Sequence, residues 1–178
     1  MYRRLLAVSL LGSTLAFAAQ GDQWLVLKGA YTRFDNSVHL KEQGGLGIGY
    51  GSWLTDNVGL DFSLIRSDLK SDLPTATGSG TQHQLLGSVL IGFHPEGYRA
   101  FPYFSAGIGG TRIDRPFSGS DHDTTRLSYH AGLGAQFRVG SWGTLTLDSK
   151  YVRTQALVAR NDWVTTVGFG FGWGNGPR

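Results

Sequence analysis

The 178-residue chain has room for one domain. Its 27 glycines and only 16% charged residues argue against a helical protein, and its 12% aromatic residues against a disordered one. It has no cysteine, so an exported form could not be held by disulfides. The net charge of +3 carries no nucleic-acid reading, because 16 basic residues against 13 acidic ones become 14 against 13 once Arg3 and Arg4 are set aside.

Those two arginines open a segment with the layout of a secretory signal. Residues 5–15 form an apolar run, and Ala16-Phe17-Ala18 fits the small-x-small cleavage rule. The run is shorter than the roughly 20 residues a spanning helix needs. The expected organisation is a cleaved signal over 1–18 and one β domain over 19–178.

Period-two alternation then recurs eight times. The first strand is expected over 24–33, with Leu25, Leu27, Gly29 and Tyr31 on one face and Val26, Lys28, Ala30 and Thr32 on the other. The second, over 44–53, sets Leu46, Ile48 and Tyr50 against glycines, and the third, over 58–66, sets Val58, Leu60, Phe62 and Leu64 against Gly59, Asp61 and Ser63. The fourth, over 83–93, alternates less cleanly because Leu86 and Leu90 fall on the polar face. The fifth covers 101–113. The sixth, over 127–138, is the clearest: Leu127, Tyr129, Ala131, Leu133, Ala135 and Phe137 oppose Ser128, His130, Gly132, Gly134, Gln136 and Arg138. The seventh, over 144–153, sets Leu145, Leu147 and Tyr151 against Thr146, Asp148 and Lys150. The eighth, over 162–173, sets Trp163, Val167, Phe169, Phe171 and Trp173 against Val164, Thr166 and three glycines.

Connections alternate between short turns (54–57, 94–100, 139–143) and longer polar segments (35–43, 67–82, 114–126, 154–161). That is the plan of an up-and-down barrel in a bacterial outer membrane, with both chain ends on the periplasmic, short-turn side. A soluble barrel shares the periodicity, so the choice rests on depth, on glycine and on closure. Tyr31, Tyr129, Tyr151 and Trp163 fall on the apolar face toward the long loops, and Tyr50, Phe93, Phe137, Phe171 and Trp173 on the same face toward the short turns, with aliphatics between. Two aromatic girdles match the two interfaces of a bilayer. Glycines on the opposite face make room for long neighbours: the 139–143 turn sets Gly132 against Lys150 and Gly134 against Asp148, and the 54–57 turn sets Asp61 against Gly49 or Gly51. Closure of eight strands leaves no unpaired edge in lipid.

The runs Gly47-Ile48-Gly49-Tyr50 and 54–61 (LTDNVGLD) resemble the second hairpin of small outer-membrane barrels of the OmpA/OmpX type, and 102–109 (PYFSAGIG) resembles their fifth strand. The resemblance implies a monomeric eight-stranded barrel, inserted from the periplasm by the outer-membrane insertion machinery and surrounded by outer-membrane lipid and lipopolysaccharide. Members usually end on an aromatic at the last strand; here five residues follow Trp173.

Inward charges are the first functional candidates: Lys28, Asp61, His130, Arg138, Asp148 and Lys150 share the lumen face. Read structurally they form a paired network that fills the barrel; read functionally they line an ion path. Ser128 and His130 share a face, as a nucleophile and base would, and a lipid A deacylase family uses a neighbouring His and Ser on a barrel; here no orienting acid accompanies the pair. Asp121-His122-Asp123 is three adjacent loop residues, which rarely converge on one metal ion, and no cofactor is expected. The leading expectation is a non-enzymatic barrel with a structural or surface-interaction role. A narrow solute channel and a lipid-modifying enzyme are the alternatives.

Overall fold

The computed structural model describes residues 22–35, 40–70, 79–93, 100–114, 124–155 and 160–174. The expected signal segment over 1–18, the 121–123 cluster and most of the 94–100 turn therefore lie outside the described residues. Eight antiparallel strands close into a barrel in sequence order: β1 (Gln23–Arg33), β2 (Gln43–Trp53), β3 (Val58–Lys70), β4 (Ser79–Gly92), β5 (Ala100–Asp114), β6 (Thr124–Val139), β7 (Gly143–Thr154) and β8 (Arg160–Trp173). Closure is made by β1 against β8, from Gln23 opposite Trp173 to Arg33 opposite Trp163.

The alternation expected from sequence is the wall of this barrel. Along β1 every second residue from Trp24 to Thr32 is buried and the residues between are exposed. Leu27, Leu46, Leu133, Ile108, Phe169 and Phe171 all point outward and stay more than half exposed, a surface a soluble protein would bury. The shortest strands have 11 residues. At a rise of about 3.3 Å per residue and a tilt near 40° such a strand climbs about 28 Å, close to the thickness of a bilayer's hydrocarbon core.

Turn chemistry sets the register. The hydroxyl of Thr55 accepts from the backbone N–H of Val58 at 3.0 Å and of Asn57 at 3.3 Å, fixing the β2–β3 turn so that Gly51 faces Asp61. The β6–β7 turn contains Gly140 at φ 67°, a conformation costly for a side chain bearing Cβ, and it places Gly132 opposite Lys150 and Gly134 opposite Asp148.

Three sequence expectations need adjustment. β3 runs on to Lys70 and β4 begins at Ser79, so the 67–82 connection is shorter than expected. There the polarity reverses, with Leu69 turned inward and fully buried while Asp68 and Lys70 face out. Phe93 lies one residue past the end of β4. Leu86 and Leu90 do point inward, at 0% and 1% exposure, as parts of two apolar layers in the lumen.

Candidate functional site: the filled lumen

Between those two layers sit four charges. The layer toward the short turns is Trp24, Val26, Trp53, Leu90 and Tyr103, and the layer toward the long loops is Ala30, Ile65, Leu86, Val152 and Val164. Lys28, Asp61, Asp148 and Lys150 come from β1, β3 and β7, and each is at most 4% exposed. Lys28 Nζ lies 3.4 Å from Asp61 Oδ1 and 3.6 Å from Asp148 Oδ2; Lys150 Nζ lies 3.3 Å from Asp61 Oδ2. Two ammonium and two carboxylate groups balance, which is the condition for charges to persist away from water.

A ring of neutral groups completes their hydrogen bonding. Lys28 donates to Ser63 Oγ at 2.7 Å, and Ser63 donates to Asp61 Oδ2 at 2.8 Å. Tyr103 donates to Asp148 Oδ1 at 2.5 Å, and Thr166 to Asp148 Oδ2 at 3.4 Å. Lys150 also reaches Ser88 Oγ at 3.4 Å, and that hydroxyl is 2.8 Å from His130 Nε2. The lysine stems fit because glycine lies beside them: a Cβ on Gly49 would meet Lys28 Cε at 2.5 Å, and one on Gly132 would meet Lys150 Cγ at 2.9 Å.

Of the inward charges named from sequence, five meet here: Lys28, Asp61, Asp148 and Lys150 directly, and His130 through Ser88. Arg138 does not join them. It stands at the short-turn mouth, ion-paired with Asp22, beside Gln136, which accepts a hydrogen bond from Trp53 Nε1 at 2.7 Å. A cavity at that mouth, lined by Asp22, Trp53, Gln136, Arg138 and Thr144 among others, measures about 10 Å³. That is about one water molecule's space.

Sequence reasoning missed Ser63, Ser88, Tyr103 and Thr166, and also a second buried pair near the long-loop mouth. Arg160 donates to Asp162 Oδ2 at 2.7 Å and to the Gln82 side chain, and its guanidinium lies 5.2 Å from the Phe34 ring centre. Ser128 and His130 are not partners. Ser128 Oγ is 2.7 Å from Thr111 Oγ1 and 3.1 Å from Thr154 Oγ1, while His130 bonds Ser88.

The residues of both expected girdles are on the outer wall. Tyr31, Tyr129, Tyr151 and Trp163 lie toward the long loops, with Tyr151 and Trp163 ring centres 5.5 Å apart. Tyr50, Phe93, Phe137, Phe171 and Trp173 lie toward the short turns, where Tyr50 and Trp173 approach to 6.5 Å and Trp142 stacks on Phe171 at 5.3 Å. Trp24 and Trp53 belong to neither, since they pack together inside.

Solved structures share this architecture. Neisserial surface protein A (NspA) superposes with a TM-score of 0.67 at 15% identity, covering 86% of this chain and 98% of its own. The N-terminal β-barrel domain of Pseudomonas aeruginosa OprF gives 0.58 at 18% identity, covering 86% and 100%. Ail, the attachment invasion locus protein of Yersinia pestis, solved with the heparin analogue sucrose octasulfate, gives 0.56 at 15% identity, covering 86% and 99%. No curated protein matches the sequence. The sequence model of the outer membrane protein beta-barrel domain matches residues 5–174. With a closed eight-stranded wall that is apolar outside and polar within, the chain belongs to that family and is a protein of the bacterial outer membrane.

Proposed function

We propose that the protein is a non-enzymatic barrel whose sealed lumen acts as a rigid strut, with its long loops and outer rim serving envelope structure or surface interaction. The observation that carries this reading is the lumen: a neutral Lys–Asp quartet held between two apolar layers, with no residue of the quartet more than 4% exposed. A conducting path needs mobile water beside its charges, and eight strands leave an interior that side chains fill. Fold neighbours described as a surface protein and as an attachment invasion locus protein are consistent with a surface role. The Ser128 and His130 contacts argue against hydrolysis, because neither activates the other and both are buried within the wall, out of reach of lipid.

Planar-bilayer recording of the refolded protein tests this. No discrete conductance steps are expected. Steps that disappear in Lys150→Met would establish a channel instead. Lipid A mass should stay unchanged in cells overexpressing the protein, and a lost acyl chain would establish an enzyme.

A further inference from the structure

The lumen changes character just beyond the apolar layer of Ala30, Ile65, Leu86, Val152 and Val164. On the same five strands the next inward residues toward the long loops are Thr32, Ser67, Gln84, Thr154 and Asp162. All five are polar and at most 2% exposed. Two residues along a strand rise about 7 Å, so this polar ring stands one side-chain layer above an apolar floor.

Most of the ring satisfies itself. The hydroxyls of Thr32 and Ser67 lie 3.3 Å apart, and Ser128 Oγ links Thr111 to Thr154. Asp162 accepts from Arg160 Nε at 2.9 and 2.7 Å, and from the backbone N–H of Asp35 at 3.2 Å. Arg160 Nη2 then donates to Gln82 Oε1. That contact joins β8 to β4, four strands apart in a ring of eight, so it forms a bar across the width of the lumen.

The groups left over are concentrated at this bar and beneath it. Gln84 lies two residues below Gln82 on the inward face of β4 and is 1% exposed. Neither its Oε1 nor its Nε2 has a hydrogen-bond partner among the described residues. Gln82 Nε2 and Arg160 Nη1 are buried and unpartnered in the same way. Buried polar groups without partners are uncommon, because each has given up its hydration for nothing. Three nitrogen donors against one oxygen acceptor call for a ligand that offers acceptor oxygen. Charge narrows the class further. Arg160 is already matched by Asp162, so an anion would bring an unmatched charge into a buried space, and a cation would face N–H groups.

We propose that Gln82, Gln84 and Arg160 form a binding site for a small uncharged molecule with an acceptor oxygen, either water or the carbonyl of a carboxamide-like solute. A carboxamide also carries the N–H that Gln84 Oε1 lacks. The apolar floor separates this site from the Lys–Asp quartet, so its occupancy is independent of whether the lumen conducts.

The test uses the full mature chain, labelled with 15N at glutamine and refolded in lipid nanodiscs, with acetamide as the solute probe. Side-chain amide signals are assigned by through-bond correlation. Magnetisation transfer from water to the amide protons of Gln82 and Gln84, without a saturable response to acetamide, assigns the site to water. Saturable shifts of both signals on adding acetamide assign it to a solute. In that case Gln84→Met, read at Gln82, or Gln82→Met, read at Gln84, should raise the apparent dissociation constant at least fivefold. The exposed Gln155 should contact water and show no saturable shift. Absence of both water transfer and acetamide shifts at Gln82 and Gln84 would overturn the site, as would saturable shifts at Gln155 equal to theirs.

Discussion

Replacing Asp61 by Asn should lower the folding free energy by about 3–5 kcal/mol, the cost of leaving a buried charge without its partner. Among the described residues Asp61 is the one carboxylate that bridges both lysines, at 3.4 Å to Lys28 and 3.3 Å to Lys150. Without its charge Lys28 still has Asp148 at 3.6 Å, but Lys150 keeps only neutral acceptors within hydrogen-bond reach, the Ser88 hydroxyl at 3.4 Å and the asparagine carbonyl. Removing the stranded ammonium in the double variant Asp61→Asn/Lys150→Met should restore most of the loss, because an apolar side chain of similar length tolerates the layers above and below. Urea unfolding in lipid vesicles measures both. A loss under about 1 kcal/mol in the single variant would mean that water reaches the quartet and that the lumen is not sealed.

The second large effect lies in the glycine packing. A Cβ on Gly107 would collide with the carbonyl oxygen of Gly87, lie 2.9 Å from that carbonyl's carbon and stand 2.9 Å from His130 Cε1. The obstacle is backbone on the neighbouring strand, so β4 and β5 must separate to admit it. Gly107→Ala should destabilise by about 1–3 kcal/mol or more, and Gly107→Leu should prevent closure, giving identical gel migration before and after boiling. Three residues further along β5, Gly110 faces outward, and its nearest neighbour to an added Cβ is Thr125 Cγ2 at 4.0 Å. Gly110→Ala should change stability by no more than about 0.5 kcal/mol. Equal effects at the two positions would refute the close approach of β4 and β5.

The wall of the barrel was legible in the sequence because a strand's side chains alternate strictly, and because short turns leave one register. The pairing of Gly132 with Lys150 follows from counting back from the 139–143 turn, whereas the 54–57 turn leaves Asp61 opposite Gly49 or Gly51 and the structure selects Gly51. What lies across the lumen was not legible. Lys28 meets Asp61 and Asp148 from strands that do not adjoin β1, and which side chains converge depends on the tilt and stagger of the closed sheet. Ser63, Ser88 and Tyr103 share the inward face with the charges, but parity alone does not say which of them reach one depth. The ends of β3 and β4 were misjudged for a related reason. Beyond the lipid the outer face turns polar, at Asp68 and Lys70, while the lumen turns apolar at Leu69, so the period persists with its phase inverted. Trp24 and Trp53 show the same limit. Aromatic residues mark the interfaces only on the outward face, and these two fill the space inside the short-turn end.

The barrel's placement in a membrane depends most on which side of the wall meets lipid. The chain has no cysteine, so single cysteines can be placed at Leu133, Leu147 and Phe169, with Glu42 at the loop rim as an aqueous reference, and each spin-labelled in vesicles. Labels at the three wall positions should collide freely with dissolved oxygen and hardly at all with a water-soluble nickel chelate, and the label at Glu42 should do the reverse. Nickel access at Leu133, Leu147 and Phe169 equal to that at Glu42 would contradict it.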